Sequence, residues 1–206
     1  MEIVLATRNE GKLQEIRDLL KELAVKVTSL KDIPQIPVIH ESGSTLQENA
    51  LMKAEMVALL TNRVAIADDS GLEVDALEGK PGVYSARFAG EGASDDENNK
   101  ELLGRLEGVP ISERGATFRC VLAIVSPEGK KYIVEGECRG IIQLEEQGKL
   151  GFGYDPLFFV PEYGKTFAEL PPQIKNRISH RAKAMEKLKD LLKKCPKMEG
   201  QAAERA

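Results

Sequence analysis

The sequence predicts an α/β protein built on a mixed sheet flanked by helices. Three observations lead there. Short apolar runs alternate with helical patterns over the first third of the chain, in the order β-α-β-α-β. Two long alternating segments, 116–126 and 131–142, flank the turn Pro127-Glu128-Gly129-Lys130 and read as a hairpin. A last strand and a basic helix then close the chain. Crossover helices suit parallel strands and a tight turn suits antiparallel ones, so the sheet carries both.

Taken in order, residues 2–6 read as the first strand. A helix over 13–23 follows, with Leu13, Ile16, Leu19, Leu20 and Leu23 on one stripe. Residues 25–30 read as a second strand. The segment 31–44, holding Pro34, Pro37 and Gly43, reads as a connecting loop. Thr45 and Glu48 fit a capping box, so a helix is expected over 45–61, apolar through Leu46, Ala50, Ala54, Val57 and Ala58. Residues 64–67 form a short buried strand that is expected to stop at Asp68 and Asp69. A glycine-punctuated loop occupies 78–92. Ser94 and Glu97 form a second capping box and open a polar helix to about Leu106. After the hairpin, 151–161 read as a glycine-opened strand and 179–194 as the closing helix. From Pro196 on, the residues are polar and small, and a mobile tail is expected over 196–206.

At 206 residues the chain can hold one sizeable core or two tightly joined lobes. No apolar run approaches the roughly 18–20 residues that span a bilayer, and residues 1–6 show no signal-peptide layout. A net charge of −4 argues against a general nucleic-acid coat. A polyanionic ligand must therefore meet a local cluster of cations. Cys120, Cys138 and Cys195 are odd in number and have no CxxC spacing, which points to neither zinc nor a disulfide framework. Cys120 and Cys138 could face each other across the hairpin; buried thiols in a reducing cytoplasm are the favoured reading.

Five constellations could carry chemistry. Asp68 and Asp69 close a strand, where α/β proteins bind ligands. The pair suits a Mg²⁺ site or a general base, or else an Asx turn. Successive strand residues face opposite ways, so the two acids are expected to have different jobs. The turn Thr7-Arg8-Asn9-Glu10-Gly11-Lys12 sits between a strand and a helix. Such a junction offers free N–H groups and a positive helix end to a phosphate, unless it is only a polar turn. Asn49 and Lys53 are four apart and are expected opposite the apolar stripe of their helix, with Lys53 a phosphate contact or a solvated lysine. His40-Glu41, just before that helix, is ordinary surface or a source of a metal ligand. Gly151-Phe152-Gly153-Tyr154-Asp155-Pro156 lets a group approach the backbone closely. Phe152 there could stack on a purine or pack in the core, and Asp155 could hold a ribose hydroxyl or order the loop. Lastly, Lys175 precedes Ser179-His180-Arg181, where Ser179 is a plausible N-cap. Cations at a helix start oppose the dipole unless an anion or a carbonyl-rich ligand sits there, or a carboxylate pairs with Arg181.

These residues together resemble the inosine triphosphate pyrophosphatase family, the dITP/XTP pyrophosphatases of odd purine nucleotides. The resemblance rests on Thr7, Asn9 and Lys12; on Glu48-Asn49-Ala50 with Lys53; on Ala67 through Gly71; on Pro81, Gly82, Ser85, Ala86 and Arg87; on Gly151 through Pro156; and on Ser179-His180-Arg181. It implies an elongated twisted mixed sheet flanked by helices, one domain over 1–195 formed as two lobes with a central cleft. It implies a cytoplasmic, homodimeric, Mg²⁺-dependent enzyme that cleaves ITP, dITP and XTP to the monophosphate and pyrophosphate. By position, Asp69 is the proton acceptor and a metal ligand. Ser70 contacts substrate, Thr7, Arg8, Asn9, Glu10, Gly11, Lys12 and Lys53 face the phosphates, and Phe152, Gly153, Tyr154, Asp155, Lys175, His180 and Arg181 hold the nucleoside. Many relatives carry an acid where this chain has His40, so the second metal position falls to Glu41 or to water. A pyrimidine-directed pyrophosphatase and a non-catalytic nucleotide sensor are the competing readings. Product identity separates the first, and tight ITP binding without pyrophosphate release separates the second.

Overall fold

The computed structural model describes residues 2–21 and 25–194. Strand β1 (Glu2–Leu5) leads into helix α1 (Glu10–Leu20), which starts three residues before the expected position. The reason is Asn9, whose side chain caps the helix by accepting from the Lys12 backbone N–H at 3.0 Å. Leu13, Ile16 and Leu20 form its buried stripe, as expected; Leu23 lies outside the described residues. Strand β2 (Lys26–Ser29) pairs in parallel with β1. Helix α2 (Leu46–Thr61) follows, with Thr45 as N-cap, and ends on Asn62 in the left-handed conformation (φ 51°).

Strand β3 (Val64–Val74) departs most from expectation. It pairs in parallel with β1 through Val64, Ala65 and Ile66, but it does not stop at the acids. It runs on through Asp68, Asp69, Ser70 and Gly71 to Leu72 and Val74, both fully buried. The apolar pattern resumes beyond the acids, and lysines neutralise the acids within the strand. The expected loop at 78–92 contains a short 3₁₀ helix, Gly82–Arg87. Helix α3 (Asp95–Arg105) has both halves of its Ser94–Glu97 capping box.

Strands β4 (Gly115–Val125) and β5 (Lys131–Ile142) are neighbours, joined by a turn in which the Ser126 N–H donates to the Lys130 carbonyl at 2.9 Å. The expected strand at 151–161 is mostly a turn, with only β6 (Phe158–Val160) extended, because Gly151 and Gly153 adopt φ of 79° and 61°. Strand β7 (Lys165–Thr166) pairs antiparallel with β6. Helix α4 (Pro172–Ile178), not expected from periodicity, starts on a proline whose fixed φ suits a first helical position. Ser179 then separates it from α5 (His180–Lys194).

The strands form one mixed seven-stranded sheet of order β2-β1-β3-β4-β5-β6-β7. The chain divides into two compact units. The first comprises residues up to Asp69, Val121–Val134 and the chain from Ala184; the second comprises Ser70–Cys120 and Glu135–Lys183. The first unit buries Ile3, Val4, Leu5, Leu13, Ile16, Val57 and Ile66. The second has an aromatic core, with Phe118 and Phe158 ring centroids 4.6 Å apart and Phe158 and Phe167 at 4.9 Å. Cys120 and Cys138 are buried and not joined in a disulfide, and burial raises the Cys138 pKa. Cys195 and the tail from Pro196 lie outside the described residues. Among the described residues no helix is long and apolar enough to cross a membrane.

One buried cation fastens the second unit. Arg114 donates to the carbonyls of Val109 (2.9 Å), Gln143 (3.2 Å) and Leu106 (2.7 Å), so its guanidinium closes the end of α3 against the chain beyond β5. Arg114→Met removes those donors and leaves the acceptors unpaired. Urea unfolding should show a loss of about 3 kcal/mol with an unchanged m-value.

Candidate active site

In the first unit, the acid pair on β3 is matched by two lysines. The side chain of Asp68 is fully buried and forms an ion pair with Lys12, in the first turn of α1. Asp69, one residue on, turns to Lys53 of α2 instead. The Lys53 ammonium donates to Asp69 Oδ1 at 2.8 Å, to Glu41 Oε1 at 2.6 Å and to the Asp68 carbonyl at 2.8 Å, which uses all three of its protons. Burial pulls the Lys53 pKa down, but the Asp69 and Glu41 carboxylates outweigh it and hold the amine charged. Burial raises Asp69 above the usual aspartate range, against the opposing pull of Lys53 and Lys12. The two acids thus have separate partners, as strand geometry requires.

Lys53 and Asn49 do not lie opposite the apolar face of α2. They are 8% and 0% exposed and share the buried side of the helix. Asn49 Oδ1 accepts from the Gly43 N–H at 2.8 Å. A Cβ on Gly43 would come within 2.6 Å of that oxygen, so the backbone can approach only because the residue is glycine. The Asn49 Nδ2 has no hydrogen-bond partner among the described residues. The Thr45–Glu48 capping box closes differently from expectation. Thr45 accepts from the Glu48 N–H at 3.1 Å, but the Glu48 carboxylate accepts from the Ser44 N–H and hydroxyl at 2.7 and 2.8 Å. The loop before α2 is thereby pinned to the first turn of the helix, which brings Glu41 to Lys53. His40 remains exposed.

The turn before α1 is ordered by its own side chains. Thr7 accepts from the Asn9 N–H at 3.2 Å, and Asn9 caps the helix. Arg8 donates to the Ile36 carbonyl at 2.6 Å, and Glu10 pairs with Lys31. Gly11 lies within the first helical turn. Of this stretch, Lys12 is the residue that reaches the acid pair.

In the second unit, Asp155 is 2% exposed and accepts from the Phe152 N–H at 2.9 Å while pairing with Lys175 of α4. Of the two roles open to Asp155 from sequence, it therefore orders its loop. A Cβ on Gly151 would collide with the Asp155 carboxylate, and its φ is 79°, so glycine is required twice over. The Lys175 ammonium lies 4.9 Å from the centroid of the Phe152 ring, which is only partly buried. Arg181, the largest fully buried side chain among the described residues, donates to the Ser70 hydroxyl at 3.2 Å and stands 5.7 Å from the Phe152 ring. His180 stacks on Phe118, with centroids 4.6 Å apart and planes at 11°. Ser179 is the expected cap of α5, accepting from the Ala182 N–H at 3.2 Å.

Sequence reasoning missed several supports. Tyr154 donates from its hydroxyl to the Ser85 carbonyl at 2.8 Å, and the Ser85 hydroxyl accepts from the Leu72 N–H at 2.9 Å. Gly153 is held at both ends by α3, through Asp95 (2.6 Å) and Asn99 (3.3 Å). The available signal was a pair of polar residues four apart on a helix, which ordinarily means solvent.

The first cluster is suited to phosphate oxygens, since two ammonium groups and a helix start meet there. The second offers a partly buried aromatic face with two cations beside it, suited to a planar base. Known proteins resemble this chain over most of its length. The Ham1 family model matches residues 3–191. The dITP/XTP pyrophosphatase of Geobacter sulfurreducens is 55% identical over 92% of this chain and 96% of its own length. That of Desulforamulus reducens is 53% identical over 93% of this chain and 96% of its own. A HAM1 protein from Coxiella burnetii has a structure that superposes with a TM-score of 0.85 at 44% identity, over 94% of this chain and 99% of its own.

The glycine requirement at 151 gives a stability test. Gly151→Ala places a side chain in the left-handed region, at about 1–2 kcal/mol, and displaces the Asp155 carboxylate besides. Thermal unfolding should show a Tm lowered by several degrees, whereas Lys149→Ala, at an exposed position, should leave it unchanged.

Proposed function

The chain belongs to the Ham1 family, and from that premise we propose that it hydrolyses the odd purine nucleoside triphosphates dITP, XTP and ITP to the monophosphate and pyrophosphate. The observation that carries this reading is the ion network Lys12–Asp68 and Asp69–Lys53–Glu41, and the aromatic and cationic group around Phe152 supports it. The names of its relatives support dITP and XTP as substrates. Mg²⁺ dependence, a homodimer and a cytoplasmic place belong to the same proposal.

Asp69 and Glu41 suit Mg²⁺. Two hard carboxylate oxygens converge on one ammonium, so a small cation can be shared between them. Among the described residues no group of three or more His, Cys, Asp or Glu gathers to make an all-protein cage. Mg²⁺ commonly takes one or two carboxylates and completes its shell with phosphate oxygens and water. Bound there, it would neutralise charge on the phosphate oxygens and act as a Lewis acid.

The chain's own groups do the rest. Asp69 orients a water and accepts its proton as the water attacks the α-phosphorus and pyrophosphate leaves. Lys12 and Lys53 stabilise charge on the phosphates, and their carboxylate partners hold both amines in place before substrate arrives. Phe152 stacks on the base, and Lys175 and Arg181 reinforce that face. Hypoxanthine and xanthine present an acceptor oxygen at the 6-position, whereas adenine presents a donor amine. Arg181 has donors only, so it favours the first two and leaves adenine's donor unpaired.

Asp69→Asn keeps an oxygen for Lys53, and a neutral side chain is tolerated where burial already disfavours the charge. It should fold normally yet lose about 10²–10⁴-fold in kcat, read as pyrophosphate release in Mg²⁺. Near-normal turnover would remove Asp69 from the chemistry. A panel of dITP, XTP, ITP and ATP should show turnover of the first three, abolished by EDTA. Equal turnover of ATP would defeat the base-selection argument.

A further inference from the structure

We propose that Asp95 and Asn99 of α3 are positioning residues for the nucleoside: they fix the Phe152 platform by gripping both ends of Gly153. The proposal rests on the pyrophosphohydrolase reading above and adds to it a part of the molecule that the recognised motifs leave out.

Asp95 and Asn99 are four apart and so lie on one face of the helix. Gly153 donates its N–H to Asp95 Oδ2 at 2.6 Å, and its carbonyl accepts from Asn99 Nδ2 at 3.3 Å. Nothing would meet a Cβ at Gly153, so glycine is there for its left-handed backbone, φ 61°, and not for space. Glycine backbone is also the most mobile, and the two bonds remove that freedom at the residue following Phe152. On the other side, the Phe152 N–H is held by Asp155 at 2.9 Å, and Tyr154 is tied to Ser85 at 2.8 Å. The backbone that carries the aromatic ring therefore cannot shift without breaking one of these bonds.

Stability alone does not account for the two residues. Asn99 is 2% exposed, and its Oδ1 has no hydrogen-bond partner among the described residues. A buried unpaired acceptor destabilises, and an apolar side chain of similar size would pack there without that penalty. Asp95 serves α3 as a first-turn acid, but that role requires no bond to another segment. Both side chains converge on one residue of the loop that carries the stacking ring. Because they act on binding of the base and not on the reacting phosphorus, removing them should raise KM and leave kcat nearly alone.

The test compares dITP hydrolysis with inhibition by inorganic tripolyphosphate, which has no base, in the full chain. Asp95→Ala and Asn99→Ala should each raise KM for dITP about 10-fold with kcat within about twofold. Asn99→Asp, which sets a carboxylate against a carbonyl, should do the same. Asp95→Asn retains an acceptor and should recover most of the loss. The tripolyphosphate inhibition constant should stay at the wild-type value in all of them, which also certifies that each variant is folded. Unchanged KM in both alanine variants, or a tripolyphosphate constant that rises in step with KM, overturns the clamp. A wild-type chain that releases no pyrophosphate from any of the nucleotides overturns the proposed function instead.

Discussion

The arrangement depends on neutralising two adjacent carboxylates inside a β-strand. Asp68 and Asp69 stand in the middle of β3, 2% and 5% exposed, where unpaired charge would be prohibitively unfavourable. Breaking a buried pair by deleting one partner typically destabilises by about 3–5 kcal/mol. The strand can continue to Val74 only because Lys12 and Lys53 arrive from two different helices. That requirement fixes where α1 and α2 must start. Asn9 caps the first so that Lys12 falls in its opening turn, and Thr45 caps the second with Lys53 two turns along. The groups that keep the fold electrostatically tolerable are also the cations a phosphate would meet. Stability and the proposed chemistry draw on the same side chains.

A different principle governs the second unit. Its cluster is built by backbone geometry, with glycines at 151 and 153 in conformations that other residues avoid. Such a loop would be loose by itself. Asp155, Tyr154 and the peptide of Gly153 each anchor it to a regular element or to the 3₁₀ segment at Ser85. Preorganisation of this kind lowers the ordering entropy that a ligand would otherwise have to offset. The aromatic face is left partly open while nearly every polar group beneath it is engaged.

The main elements were legible in the sequence where periodicity or capping was strong. The stripe of α1, the caps of α2 and α3, and the hairpin all follow from local rules, and they appear within a few residues of the expected positions. The misreadings have separate causes. Ending β3 at Asp68 assumed that acids terminate strands, which holds only when no cation is delivered from elsewhere. Placing Asn49 and Lys53 on a solvent face assumed that polar means exposed, yet one binds the Gly43 backbone and the other two carboxylates. The strand expected from Gly151 failed because two left-handed glycines turn the chain. Helix α4 was missed because seven residues are too few for a period to show.

The sequence by itself determined most of the element types, the family, and the identity of the acids, lysines and aromatic residue that make the candidate site. These are local matters, or matters of residue type and order, and both are written along the chain. Tertiary structure decided which partner each group has: Lys12 for Asp68, Lys53 for Asp69 and Glu41, Asp155 for Lys175, and α3 for Gly153. Such pairings join residues far apart in sequence, and no periodicity encodes them. They follow from the need to satisfy every buried charge and nearly every buried polar group once the strands and helices have packed.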